Sequence, residues 1–96
     1  MPRPAIHPGA HIANELEELN MSAAALAREL GIPANRLTEI IRGRRGITAD
    51  TALRLARWLG TSPQLWLNLQ KNYELRLAID EHGAEIERTV KPRLAA

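Results

Sequence analysis

Residues 22–45 read SAAALARELGIPANRLTEIIRGRR, and they predict two short helices joined by a tight turn. Ser22 is a good N-cap, because its hydroxyl can accept a bond from an otherwise orphaned amide of the first turn. Leu26, Ala27 and Leu30 then recur at helical spacing. Gly31 follows at once, where a helix end favours a residue that tolerates positive φ. Ile32 plugs the turn, and Pro33 suits a first helical position, where its missing N–H has no partner anyway. Leu37, Ile40 and Ile41 form the buried side of the second helix. Ala34, Asn35, Arg36, Thr38, Glu39 and Arg42 are left on its open side. Gly43 ends it, and Arg44 and Arg45 follow. Two helices with glycine in the turn form the helix-turn-helix pattern. A plain helical hairpin has the same apolar spacing, but the charge placement separates the two. Between positions 36 and 45 stand four arginines against one acid, Glu39. A basic cluster at the end of an exposed helix is where DNA phosphates are met.

On that reading the first residues of the second helix reach base edges. Those are Ala34, Asn35 and Arg36, with Glu39 one turn further along the same side. Asn can pair bidentately with adenine, Arg with guanine and Glu with the cytosine amino group, while the alanine methyl can pack on thymine. Thr38, Arg42, Arg44 and Arg45 are expected at phosphates, as is Thr48, through its hydroxyl or the helix start it caps.

Moving outward, the 96 residues make one domain, large enough for a single core. The net charge is only +2, but its distribution is uneven. Residues 28–57 carry seven arginines against three acids, whereas 61–96 carry five basic and five acidic residues. The positive field therefore lies around the DNA-reading segment. There is no cysteine, which excludes disulfides and thiol chemistry and fits a reducing cytoplasm. No apolar run approaches the roughly 20 residues of a membrane span, and residues 1–10 lack the apolar middle of a secretory signal. Strand-like alternation is absent, so an all-α protein is expected.

Residues 1–9, with three prolines, read as an extended arm. A helix starts near Pro8 or Gly9 and runs to about Leu19, burying Ile12, Leu16 and Leu19 and leaving Glu15, Glu17 and Glu18 on an acidic face. His7, His11 and Glu15 lie at i, i+4, i+8, but no fourth ligand accompanies them, so no metal site is expected. Beyond the motif, Thr48 caps a helix that ends at Gly60, with a core set of Ala52, Leu53, Leu55, Ala56 and Leu59 and an Asp50–Arg54 pair at i, i+4. Ser62-Pro63 opens the longest helix, expected over 63–80. Trp66, Leu69, Tyr73 and Leu77 form its inner stripe, and Leu67, Leu75, Ala78 and Ile79 lie off it. A helix apolar on two sides is usually buried on two sides, so the second set is a candidate dimer seam. Gly83 is expected to break this helix. The chain thus divides into an arm (1–9), a helix-turn-helix domain (10–80, motif 22–42) and a tail (81–96) open to a short helix before Pro92.

These residues together resemble the HigA family of antitoxins, helix-turn-helix proteins of the Xre/Cro (lambda repressor-like) class from type II toxin–antitoxin operons. The resemblance begins at His7-Pro8-Gly9 and includes Leu26-Ala27 with Gly31, Arg42-Gly43-Arg44, Ile47-Thr48-Ala49 and Ala52-Leu53-Arg54-Leu55. It is most specific at Ser62-Pro63 with Trp66-Leu67-Asn68-Leu69-Gln70, Tyr73 and Leu75. It implies a five-helix DNA-binding domain, a homodimer on a palindromic operator, repression of its own operon, and neutralisation of a HigB-like toxin, a small RelE-type mRNA endonuclease. One departure stands out. Xre-like domains often place Gln at the start of the first motif helix, where it touches phosphate; here Ala23 and Ala24 follow Ser22, so Ser22 or another group must make that contact. Glu15, Glu17 and Glu18 offer the charge complementary to a basic RNase toxin. No catalytic constellation or cofactor motif is evident, and none is expected. A stand-alone repressor and a helical interaction module without DNA binding remain the alternatives.

Overall fold

A computed structural model describes residues 4–94, of which Pro8–Leu19 form α1, Ala23–Leu30 α2, Ala34–Ile41 α3, Ala49–Leu59 α4 and Pro63–Thr89 α5. The described residues contain no strand. Each boundary has a local cause. The Ser22, Thr48 and Ser62 hydroxyls accept from the amides of Ala25, Thr51 and Leu65, as N-caps do. Gly31 closes α2 at φ 70°, a left-handed conformation that a side chain would strain. Pro33 is not the first helical residue but the cap itself, at φ −62° and ψ 142°, and it leaves α3 without a side-chain cap.

The core joins Ile12 and Leu16 of α1, Leu26, Ala27 and Leu30 of α2, Leu37 and Ile40 of α3, Ala52, Leu55 and Ala56 of α4, and Trp66 of α5, with Ile32 and Ile47 from the connections. α3 packs on α1 and α2, and α4 packs on α2 and α5. The approach of α1 to α3 depends on Gly9, where a Cβ would overlap the Ile40 carbonyl. That accounts for glycine directly after Pro8. Three expected core residues lie outside: Leu19 and Leu53 are exposed, and Leu59 is half-buried. Leu19 and Leu53 sit at the margins of their helices' apolar arcs, whereas Leu59 still packs against the core from its edge. Ile41 is half-buried as well.

The longest helix corrects the sequence reading. α5 does not stop near residue 80; it passes through Gly83 and ends at Thr89. One interior glycine costs a helix only about 1 kcal/mol, and the flanking Ala, Glu and Arg residues favour helix. The helix stops before Pro92, which disfavours helical geometry in the residue preceding it. At the other end, Pro8 and Gly9 belong to α1 rather than to the arm. Leu67, expected in an outer seam, packs against the core, whereas Leu75, Ala78 and Ile79 are at least partly open to solvent.

Candidate nucleic-acid interface

The surface centred on α3 is built from three segments. α3 buries Leu37 and Ile40 completely, which turns Ala34 and Asn35 outward at its start. No side chain caps that start, where Ala34 and Asn35 are exposed, so the positive end of the helix dipole is left without a side-chain acceptor. The loop 42–48 follows. Gly43, at φ 75°, lets the Arg44 amide donate back to Glu39 O at 2.8 Å and ends α3 abruptly. Arg42, Arg44 and Arg45 are all exposed there. The third segment is the start of α4, capped by Thr48. An open cleft of about 420 Å³ lies between α3 and α4, lined by Arg36, Arg45, Gly46, Thr48, Asp50, Thr51 and Arg54.

Two of the four expected base-reading residues are held in ion pairs. Arg36 Nη1 lies 3.3 Å from Asp50 Oδ2, and Arg45 Nη2 lies 3.1 Å from Glu39 Oε2. Exposed pairs of this kind contribute little to stability. Arg54 also binds Asp50, at 2.9 Å, and its Nη1 donates to Leu30 O at 2.8 Å. The Arg54 hydrogen bond is the main cause that holds the Asp50 carboxyl below the usual carboxylate range, and Arg36 adds to it. Thr38 turns its hydroxyl back to Ala34 O at 3.0 Å. The Ser22 and Thr48 hydroxyls are committed to their caps, which leaves the helix starts themselves as the groups open to a phosphate.

Sequence reasoning missed what holds the basic loop. Gln70 is buried, accepts from the Ile47 amide at 2.8 Å and donates to Glu74 at 2.8 Å. Gly46 lies against the Gln70 amide, with no room for a side chain. From the other side His7 caps α1 through Nδ1, which accepts from the Gly9 amide at 2.9 Å. Its ring packs edge-on against Tyr73 with centroids 4.8 Å apart and lies beside Gly43. Burial holds the His7 imidazole below its ordinary pKa, and a backbone hydrogen bond with Arg45 opposes this only in part. The one available signal was a polar residue, Gln70, at a position where the α5 stripe turns inward. His11 lies with Glu15 in an apolar groove formed with Leu59, Leu65, Trp66 and Leu69, while His7 faces Gly43 and Tyr73. Glu17 and Glu18 are exposed to solvent, so the acidic face of α1 divides in two. Among the described residues no three His, Cys, Asp or Glu side chains converge as metal ligands, and no helix is long and apolar enough to cross a membrane.

An exposed second motif helix on a five-helix frame, followed by a basic loop, defines a helix-turn-helix domain of the Xre type, and the Helix-turn-helix family matches residues 12–66. The virulence-associated protein I of Dichelobacter nodosus is 51% identical over 76 residues, 78% of this chain and 70% of that one. The addiction module antidote protein of the HigA family from Coxiella burnetii has 51% identity and superposes with a TM-score of 0.93, covering 95% of this chain and 100% of that chain. The Pseudomonas aeruginosa antitoxin HigA, solved with the higBA promoter, has 45% identity and a TM-score of 0.90, over 94% of this chain and 99% of that one. The chain belongs to the HigA family of helix-turn-helix antitoxins.

Proposed function

We propose that this chain is a DNA-binding antitoxin that represses its own operon as a symmetric homodimer and neutralises a HigB-like, RelE-type mRNA endonuclease. The observation that carries the DNA part is the outward side of α3, with an uncapped start at one end and the exposed Arg42, Arg44 and Arg45 at the other. In this reading Ala34, Asn35, Arg36 and Glu39 meet base edges in the major groove. Arg42, Arg44 and Arg45 and the helix starts capped by Ser22 and Thr48 meet phosphates, and Thr38 joins them when its hydroxyl turns from Ala34 O. The antitoxin HigA relative solved with its promoter supports it.

The homodimer reading rests on the distal half of α5. Leu75, Ile79 and Ile86 are each at least half exposed and recur along one side of α5, and the exposed Val90 follows at its C-cap. An apolar stripe of this length left open on a helix calls for a partner, and in this reading a second copy supplies the second reading helix that a palindromic operator requires, about 34 Å or one turn of DNA from the first. The toxin reading rests on charge: Glu15, Glu17 and Glu18 suit a basic, RNA-cleaving partner. Activity of this kind belongs in the cytoplasm and requires no cofactor.

A reporter fused to the chain's own upstream region tests the first part. Repression by the wild type, lost with Asn35→Ala, is the expected result; no repression by the wild type overturns it. Co-expression with the product of the adjacent gene tests the second: a stable complex and relief of growth arrest are expected, and neither occurs if the chain is a stand-alone repressor.

A further inference from the structure

We propose that Asp50 is the positioning residue for Arg36 and thereby sets the base preference of α3. This inference rests on the DNA-reading function proposed above and adds a residue from a different helix to it. The geometry is a relay anchored in backbone. Arg54 Nη1 donates to Leu30 O at 2.8 Å and to Gly31 O at 3.3 Å, the carbonyls that end α2. With one end of its guanidinium held there, Arg54 Nε donates to Asp50 Oδ2 at 2.9 Å. Asp50 Oδ2 in turn accepts from Arg36 Nη1 at 3.3 Å. Positions 36 and 50 are 14 residues apart and lie on different helices. The carboxylate is thus fixed by a group that is itself fixed, and it holds one edge of the Arg36 guanidinium, which lines the cleft.

Arginine reads guanine through two coplanar N–H groups, so discrimination depends on the plane in which the guanidinium is presented. A free arginine on this surface would reach a phosphate as readily as a base, and a phosphate contact carries no sequence information. The Asp50 tether restricts that choice before DNA arrives and lowers the ordering entropy of binding. Its charge also opposes the phosphate backbone in an otherwise basic cleft. The two effects differ in sign: removing the charge strengthens binding to every sequence, whereas removing the tether weakens the preference for one. A residue that served only as a first-turn acid of α4 would produce no loss of preference.

The test is a double-mutant cycle read as a specificity ratio. Wild-type protein selects a site from a randomised duplex pool, and affinities for that site and for a scrambled duplex are then measured. Asp50→Asn is expected to reduce the ratio about tenfold, with affinity for the scrambled duplex unchanged or tighter. In an Arg36→Ala background the same substitution is expected to change the ratio less than about twofold, since the group it positions is gone. An undiminished ratio, or an equal fall in both backgrounds, overturns the proposal. Nitrogen relaxation of the Arg36 side chain gives a readout without DNA: wild type shows an ordered Nε–H, and Asp50→Asn loses that order. An Arg36 already mobile in wild type overturns the tether. Failure of wild type to enrich any site would instead refute the DNA reading, and the relaxation measurement separates the two. If Asp50→Asn does not fold, Arg54→Lys gives the same two readouts, because lysine cannot hold Asp50 and Leu30 O together.

Discussion

α3 and the distal half of α5 both carry apolar residues at helical spacing, and they use them in opposite ways. The apolar side of α3 is satisfied within the chain: Leu37 and Ile40 are completely buried against α1 and α2. What α3 leaves for other molecules is its polar side. Among the described residues little covers the apolar side of the distal half of α5, and Leu75 is 59% exposed, Ile79 53% and Ile86 50%. What it leaves is its apolar side. A helix whose hydrophobic side is already covered presents hydrogen-bonding groups for recognition, whereas one left uncovered recognises by burial.

The largest expected effect breaks the first half of this contrast. Leu37→Ala should destabilise the fold by about 2–5 kcal/mol, from lost transfer energy and the cavity left behind. Ile79→Ala, read at concentrations where the chain is monomeric, should stay within about 0.5 kcal/mol of wild type. Denaturant unfolding followed by circular dichroism measures both. At tens of micromolar the ranking should reverse in sedimentation: Ile79→Glu should shift the chain to monomer, because a carboxylate in an apolar seam is left without a partner. Equal stability losses for Leu37→Ala and Ile79→Ala in the monomer would erase the distinction between the two helices.

Within the recognition surface, Asn35→Ala should weaken operator binding by about 1–3 kcal/mol per reading site and relax preference at one base pair. Arg44→Ala should weaken binding to all sequences and reduce the salt slope by about one unit for each phosphate that the arginine no longer neutralises. Titrations of operator and scrambled DNA across salt concentrations tell them apart. Replacing Glu15, Glu17 and Glu18 by Gln should slow toxin association and reduce its salt sensitivity. Glu15, which lines the groove with Trp66 and Leu69, should matter more than the two solvated acids. Unchanged association rates would place the toxin elsewhere.

The smallest effect concerns a residue that lies between the loop after α3 and the proximal half of α5. His7 joins α1, the basic loop and Tyr73 of α5, and its pKa in the folded chain lies below the ordinary 6.5. The unfolded chain therefore binds the extra proton first. The stability His7 confers is present above about pH 6.5 and is lost as pH falls from there through the folded pKa. His7→Asn keeps a capping acceptor and removes the titration, so its stability curve should be flatter across that window. A slope equal to that of wild type would show that His7 contributes nothing to it.

The local rules were enough for much of this molecule. Ser22, Thr48 and Ser62 start helices because a hydroxyl one residue ahead of a turn can satisfy its own chain's amides, and Gly31 and Gly60 end them because they accept positive φ. The basic segment at 36–45 is likewise a matter of adjacent residues. Gly83 shows the limit of such rules: a glycine weakens a helix locally, but whether the helix ends depends on the balance along its whole length. Leu53 and Leu67 show another, since both are apolar at helical spacing and only the neighbouring helices decide that Leu53 faces solvent and Leu67 the core. The contacts that order the recognition surface lie further beyond sequence. Asp50 was legible as a partner of Arg54 four residues on, but not as the holder of Arg36 on α3. His7, Gln70 and the loop at 43–47 are brought together from the start of α1, from α5 and from the segment after α3. Periodicity and capping act through neighbours in the chain, so sequence determines them; which side chains meet across helices depends on how those helices pack, and only the tertiary structure decides it.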